Sequence, residues 1–119
     1  MSLPPKAAIN KYAKSNGVSG YREVNRRAHV GAVCRALASR SRIQILNCLR
    51  MGPKSVDQIA SAMPMISRPA ISQHLRILLE ANLVTYEAQG RRSLYQLNLR
   101  GLENLRQYMD SLGLRNLRS

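Results

Sequence analysis

Ser67-Arg68-Pro69-Ala70-Ile71-Ser72-Gln73-His74-Leu75-Arg76-Ile77-Leu78-Leu79-Glu80-Ala81-Asn82 is the stretch that decides the fold. Ile71, Leu75, Leu78 and Leu79 recur at helical spacing, which predicts a helix with one apolar stripe. Ser67 can cap its start, and Pro69 is tolerated in a first turn, where backbone amides have no helical partner. The helix is expected to run to about Asn82. With Ile71 facing inward, a rotation of about 100° per residue turns Pro69, Gln73, Arg76 and Glu80 outward. Ser72 flanks that outward face, and Arg68 and Ala70 sit at the leading end.

Upstream, Ser55-Val56-Asp57-Gln58 has the form of a capping box. It opens a short helix carrying Ile59, Ala60 and Met63, which Pro64 stops. Before it, Ser39 can cap a helix whose apolar side is drawn from Ile43, Leu46, Leu49 and neighbouring Ile45. Gly52-Pro53 ends that helix, with glycine suited to the C-terminal cap and proline to the position after it. From about Tyr21 to Ala38 the pattern is again helical, with Val30, Val33, Cys34 and Leu37 on one face. Downstream of Asn82 the period changes to two. Leu83 to Ala88 reads as a strand, Gln89-Gly90-Arg91-Arg92 as a turn, and Ser93 to Asn98 as the returning strand. Asn98 can cap a last helix with Leu102, Leu105, Met109 and Leu112 on one seam. Tyr95 reads as core.

Taken together these elements describe a mainly α domain with a small β-hairpin, a winged helix-turn-helix, over residues 21–112. Residues 1–20 form a basic arm, with Lys6, Lys11 and Lys14 among Gly, Pro and Asn breakers. A short helix from Lys6 to Ser15 and a mobile tail are both open readings of that arm. Residues 113–119 form a C-terminal tail.

Charge supplies the global signal. Nineteen Lys and Arg against six Asp and Glu give a formal net charge of +13 in 119 residues. Fifteen of the nineteen are Arg, whose planar fork matches phosphates and guanine edges. Such a chain attracts polyanions, duplex DNA first and anionic membrane second. No segment approaches the roughly 18 consecutive apolar residues of a membrane span, and the N-terminus lacks a signal-peptide pattern, so a cytoplasmic location is expected. Enzyme motifs are missing: no G-x-S-x-G, no phosphate-cradling glycine loop, no Cys-His pairing. The chain is therefore expected not to be an enzyme.

In a helix-turn-helix the second helix lies in the major groove. Gln73 can read adenine, and Arg76 can read guanine or hold a phosphate, with Ser72 and Arg68 assisting. His74, beside that face, can donate to a phosphate or pack against the preceding helix. Arg91 and Arg92 at the hairpin tip can reach a minor groove or its phosphates. The leucine seam can either close the domain's own core or pair with a symmetry mate.

Three segments resemble the ArsR/SmtB family of dimeric repressors. They are Ser67–Leu78 continuing through Glu80–Val84, the run from Ala36-Leu37-Ala38 through Ile43-Gln44-Ile45-Leu46, and the wing Gly90–Leu97. The resemblance covers residues 30 to about 112. It implies a winged-helix homodimer held by its first and last helices, through Val30, Val33, Leu37, Leu102, Leu105, Met109 and Leu112. It also implies a sequence-specific repressor that occludes a promoter, often that of its own operon. The alternative is a winged helix that binds nucleic acid without sequence preference or serves as a protein-interaction module.

The chain departs from the family where Asp-Pro is usual, having Ser39-Arg40, and where Gly is usual, having Asn82. Asn can imitate Gly in a left-handed conformation. The family's thiolate sensors carry Cys-Val-Cys where this chain has Ser55-Val56-Asp57. Its other common metal site needs His on the last helix, where only Asp110 is available. No metal site and no cofactor are therefore expected. Cys34 and Cys48 are each expected to pack as small hydrophobes, with a redox switch as the rival reading. The sequence names no effector.

Overall fold

A computed structural model describes residues 29–117. The basic arm over 1–20, its possible helix from Lys6 to Ser15, the expected helix start from Tyr21 to Ala28 and the last two residues of the tail lie outside the described residues. Helix α1 covers 29–37. It is followed by α2 (Arg40–Cys48), a 3₁₀ turn (Leu49–Met51), α3 (Val56–Ala62) and α4 (Arg68–Glu80). The hairpin β1 (Val84–Gln89) and β2 (Arg92–Leu97), helix α5 (Leu99–Ser111) and a closing 3₁₀ turn (Leu114–Leu117) complete the order. Among the described residues, these five helices and one antiparallel hairpin form the expected winged helix-turn-helix.

Side-chain caps place the helix starts. Ser39 accepts from Arg42 N at 3.3 Å, Ser67 from Ala70 N at 3.2 Å and Asn98 from Arg100 N at 3.3 Å. Ser55 and Gln58 close the full capping box, the Gln58 side chain accepting from Ser55 N at 2.8 Å. Each cap satisfies an amide that the helix itself leaves without a partner.

One core joins the helices to the hairpin. Val33 and Ala36 of α1, Ile45 of α2, Ile59 of α3, and Ile71, Leu75 and Leu78 of α4 meet Leu83, Val84 and Tyr95 there. In the hairpin Tyr86 lies opposite Tyr95, their ring centroids 5.7 Å apart. Gly90 turns the chain with φ +62°, a conformation that suits glycine. The wing's root is also tied to the segment before α3, because Tyr95 and Lys54 exchange backbone hydrogen bonds of 2.8 and 2.9 Å.

Between α4 and α5 the packing is closer than the sequence suggests. Asn82 takes the left-handed conformation expected of it, φ +63°. Asn98 Nδ2 donates to both Asn82 O and Asn82 Oδ1 at 3.0 Å, and Asn98 N donates to Leu83 O at 2.9 Å. Gly101 then passes so near that a Cβ there would sit 2.1 Å from Asn82 O.

Some expectations need correction. Helix α4 ends at Glu80 rather than Asn82, because the left-handed Asn82 already belongs to the exit turn. Ile43 is exposed, since Ile45 and Leu49 turn the inner face of α2 and its turn away from it. Cys34 is exposed rather than packed: the inward face of α1 is centred on Val33 and Ala36, leaving Cys34 outside it. Cys48, in contrast, is half-buried against the core, as its packing role requires.

Candidate nucleic-acid interface

The candidate interface begins with α3 and α4, whose contact is apolar. Ile59 and Met63 on one side and Ile71 and Leu75 on the other are all buried. That contact fixes which way α4 faces. Pro69, Gln73, Arg76 and Glu80 are exposed on its outer side, in the arrangement the helical rotation predicts. Gln73 and Arg76 are a turn apart there and point out of the domain together.

The remaining candidates are differently placed. Arg68, at the first turn of α4, is ion-paired with Asp57 of α3, both side chains being exposed. An exposed pair of this kind holds loosely and can be exchanged for another anion. Ser72 does not present its hydroxyl: Oγ is buried and has no hydrogen-bond partner among the described residues. Its position on the flank of the helix turned it inward rather than outward. Arg91 and Arg92 are exposed at the wing tip, away from the apolar core.

His74 is half-buried and does not pack as an independent side chain. Its Nδ1 lies 3.3 Å from Nη1 of Arg42, a residue of α2. Burial, and after it the Arg42 charge, pushes the imidazole below its ordinary range. Arg42 also donates from Nε to Ala36 O at 2.7 Å and from Nη2 to Arg35 O at 3.2 Å. It thus satisfies carbonyls at the end of α1, where a cation is favoured. Sequence reasoning missed Arg42. No local pattern marks it, because its partners lie six, seven and 32 residues away along the chain.

Tyr95 is buried, as read from the sequence, and burial with the neighbouring Tyr86 pushes its phenol up to about 12. It stays protonated and belongs to the wing's root.

The apolar residues assigned to dimerisation divide into two groups. Val30 and Val33 are buried within the single chain, while Leu37, Leu102 and Leu105 are half-buried against its core. Met109 and Leu112 are exposed, with Tyr108 and Leu114 beside them in sequence. Among the described residues no three His, Cys, Asp or Glu side chains gather as metal ligands. Nor, among the described residues, is any helix long and apolar enough to cross a membrane.

Two helices locked through a buried apolar contact, the second turning Gln and Arg outward ahead of an Arg-tipped hairpin, define a DNA-binding regulator of the winged helix-turn-helix class. Residues 39–86 match the model of the arsR family of bacterial regulatory proteins. Over 82 residues the chain is 43% identical to the HTH-type transcriptional regulator Rv2034 of Mycobacterium tuberculosis, spanning 69% of this chain and 76% of that protein. It is 42% identical over 67 residues to the HTH-type transcriptional repressor SmtB of the same species, spanning 56% of this chain and 49% of the repressor. Among solved structures it is similar to the homodimeric winged helix-turn-helix DNA-binding domain of a possible ArsR-family regulator from Mycobacterium bovis. That match has a TM-score of 0.58 at 26% identity and covers 87% of this chain and 95% of the other. The chain belongs to the ArsR family of bacterial regulatory proteins.

Proposed function

We propose that two copies of this chain bind one imperfect palindrome in duplex DNA and repress transcription by covering a promoter, with the promoter of its own gene the first to test. The observation that carries the reading is the outward face of α4, where Gln73 and Arg76 stand exposed on a helix fixed by four buried aliphatic residues. In this reading Gln73 and Arg76 read base edges, Arg68 exchanges Asp57 for DNA, and Arg91 and Arg92 hold backbone phosphates from the wing. His74 contacts the backbone. Ser72, with its hydroxyl turned inward, is left out of the base-reading set.

Dimerisation is assigned to α5 and the outer side of α1, with Met109 and Leu112 at the centre of the seam. Support comes from the exposure of that seam and from the homodimeric state of the Mycobacterium bovis relative. The named repressor among the relatives supports repression. Residues 21–112 form the operative domain, the basic arm over 1–20 adds non-specific attraction to DNA, and residues 113–119 are a tail. The protein acts in the cytoplasm, without catalytic chemistry, metal or cofactor.

A titration of the full chain against its upstream duplex and a scrambled duplex, at about 150 mM salt, tests this. A preference on the order of 10³ or more for the upstream duplex is expected. Arg76→Ala should cost about 1–3 kcal/mol at particular base positions, whereas Arg91→Ala should weaken both duplexes alike and reduce the salt slope by about one. Equal binding to both duplexes would instead favour non-specific coating, for which the net charge of +13 speaks. Unchanged binding by both variants would show that the domain meets DNA through another face.

A further inference from the structure

Each nitrogen of the Arg42 guanidinium has its own partner: Nε on Ala36 O, Nη2 on Arg35 O and Nη1 on His74 Nδ1. Guanidinium groups only donate, so Nδ1 of His74 must accept in this contact. An imidazole whose Nδ1 accepts is neutral and carries its proton on Nε2. The lowered affinity of this ring for a second proton agrees with that state. Nε2 itself is bonded to no described residue, and it is absent from the buried atoms that lack a partner. It therefore reaches solvent. His74 lies about 100° around α4 from Gln73, which places it beside the groove-facing side chains rather than among them.

We propose that Arg42 is a positioning residue that fixes His74 as the Nε2–H tautomer and so aims a neutral N–H donor at a DNA backbone phosphate flanking the groove. This rests on the DNA-binding reading above. It adds a residue of α2 to the interface without a contact of its own, and it sets the ring relative to the end of α1. The phosphate contact carries no sequence information, so it should serve all duplexes alike. Being neutral, it should also leave the number of displaced counterions unchanged, unlike an arginine contact.

The test combines nitrogen NMR of the histidine rings with duplex titration, using the full chain. Signals of His74 are those that His74→Gln removes. The free wild-type protein should show the Nε2–H pattern, and Arg42→Met should lose it. His74→Gln, whose amide nitrogen can stand where Nε2 stood, should bind close to wild type. His74→Asn, whose amide reaches only the Nδ1 position, should weaken upstream and scrambled duplexes alike by about tenfold, with an unchanged salt slope. The two His74 variants leave Arg42 intact, so the binding result does not depend on how Arg42→Met folds. A proton on Nδ1 in the free wild-type ring, or a charged ring, overturns the assignment of Arg42. His74→Asn binding as well as wild type overturns the phosphate contact while DNA binding stands. Wild-type protein that binds neither duplex overturns the DNA reading itself, and the phosphate contact with it.

Discussion

Helices α4 and α5 are each 13 residues long and each starts from a polar side-chain cap, yet they face their surroundings in opposite ways. Helix α4 buries Ile71, Leu75, Leu78 and Leu79, so its apolar needs are met within the chain. Its polar face is what remains to be offered. Helix α5 buries only Gly101. Its seam leaves Met109 at 37% and Leu112 at 69% exposure, with Tyr108 next to them in sequence at 44%, and an apolar face rimmed by charges is what a helix offers to a protein partner. The contrast matches the proposed division of labour, in which the helix whose stripe is satisfied meets DNA and the helix whose stripe is only partly covered, at Leu102 and Leu105, meets a second copy.

Breaking the satisfied stripe should have the largest effect. Leu78→Ala removes a fully buried side chain from the centre of the core and should destabilise the fold by about 2–5 kcal/mol. Chemical denaturation measures it, and a shift well below that range would mean that α4 is loosely seated. The opposite manipulation acts on α5. Leu112→Lys places a cation near a helix C-terminus, where it is tolerated in a single chain, but sets a charge in the proposed seam. The dimer dissociation constant should rise at least about tenfold. Sedimentation over a range of concentrations reads it, and a profile like that of wild type would put the dimer interface elsewhere. The smallest change sharpens the comparison at the helix start. Ser67→Ala deletes the hydrogen bond to Ala70 N and should cost about 1 kcal/mol of stability without altering sedimentation. Altered sedimentation would link the recognition helix to assembly more tightly than the separation of the two stripes implies.

Much of this arrangement is legible in the sequence because it is local. Four helix starts follow from Ser39, Ser55, Ser67 and Asn98, each bonding an amide two or three residues on. The inward face of α4 follows from spacing, and with it the exposure of Gln73 and Arg76. What spacing leaves undetermined depends on where one element meets another. Cys34 shares a helical face with Val30 and Val33 in a projection, but the core chooses Ala36 instead. Ser72 flanks the outward face, and only the packing around α4 decides that its hydroxyl turns in. Arg42 bonds the end of α1 and a ring 32 residues away, a pairing that no periodicity encodes. The same is true of Gly101, whose lack of a side chain matters only because Asn82 O lies above it.

Gly101 has a mechanical consequence. With α5 resting directly on the backbone at Asn82, and Asn98 bonded to both Asn82 and Leu83, the joint between α4 and α5 is a weld rather than a hinge. In the proposed dimer, a twist imposed on α5 by the second copy would be delivered to the end of α4 instead of being absorbed by slack chain. The distance between two half-sites on DNA would accordingly be set by the rotation of one α5 against the other, with a single missing methyl group transmitting it.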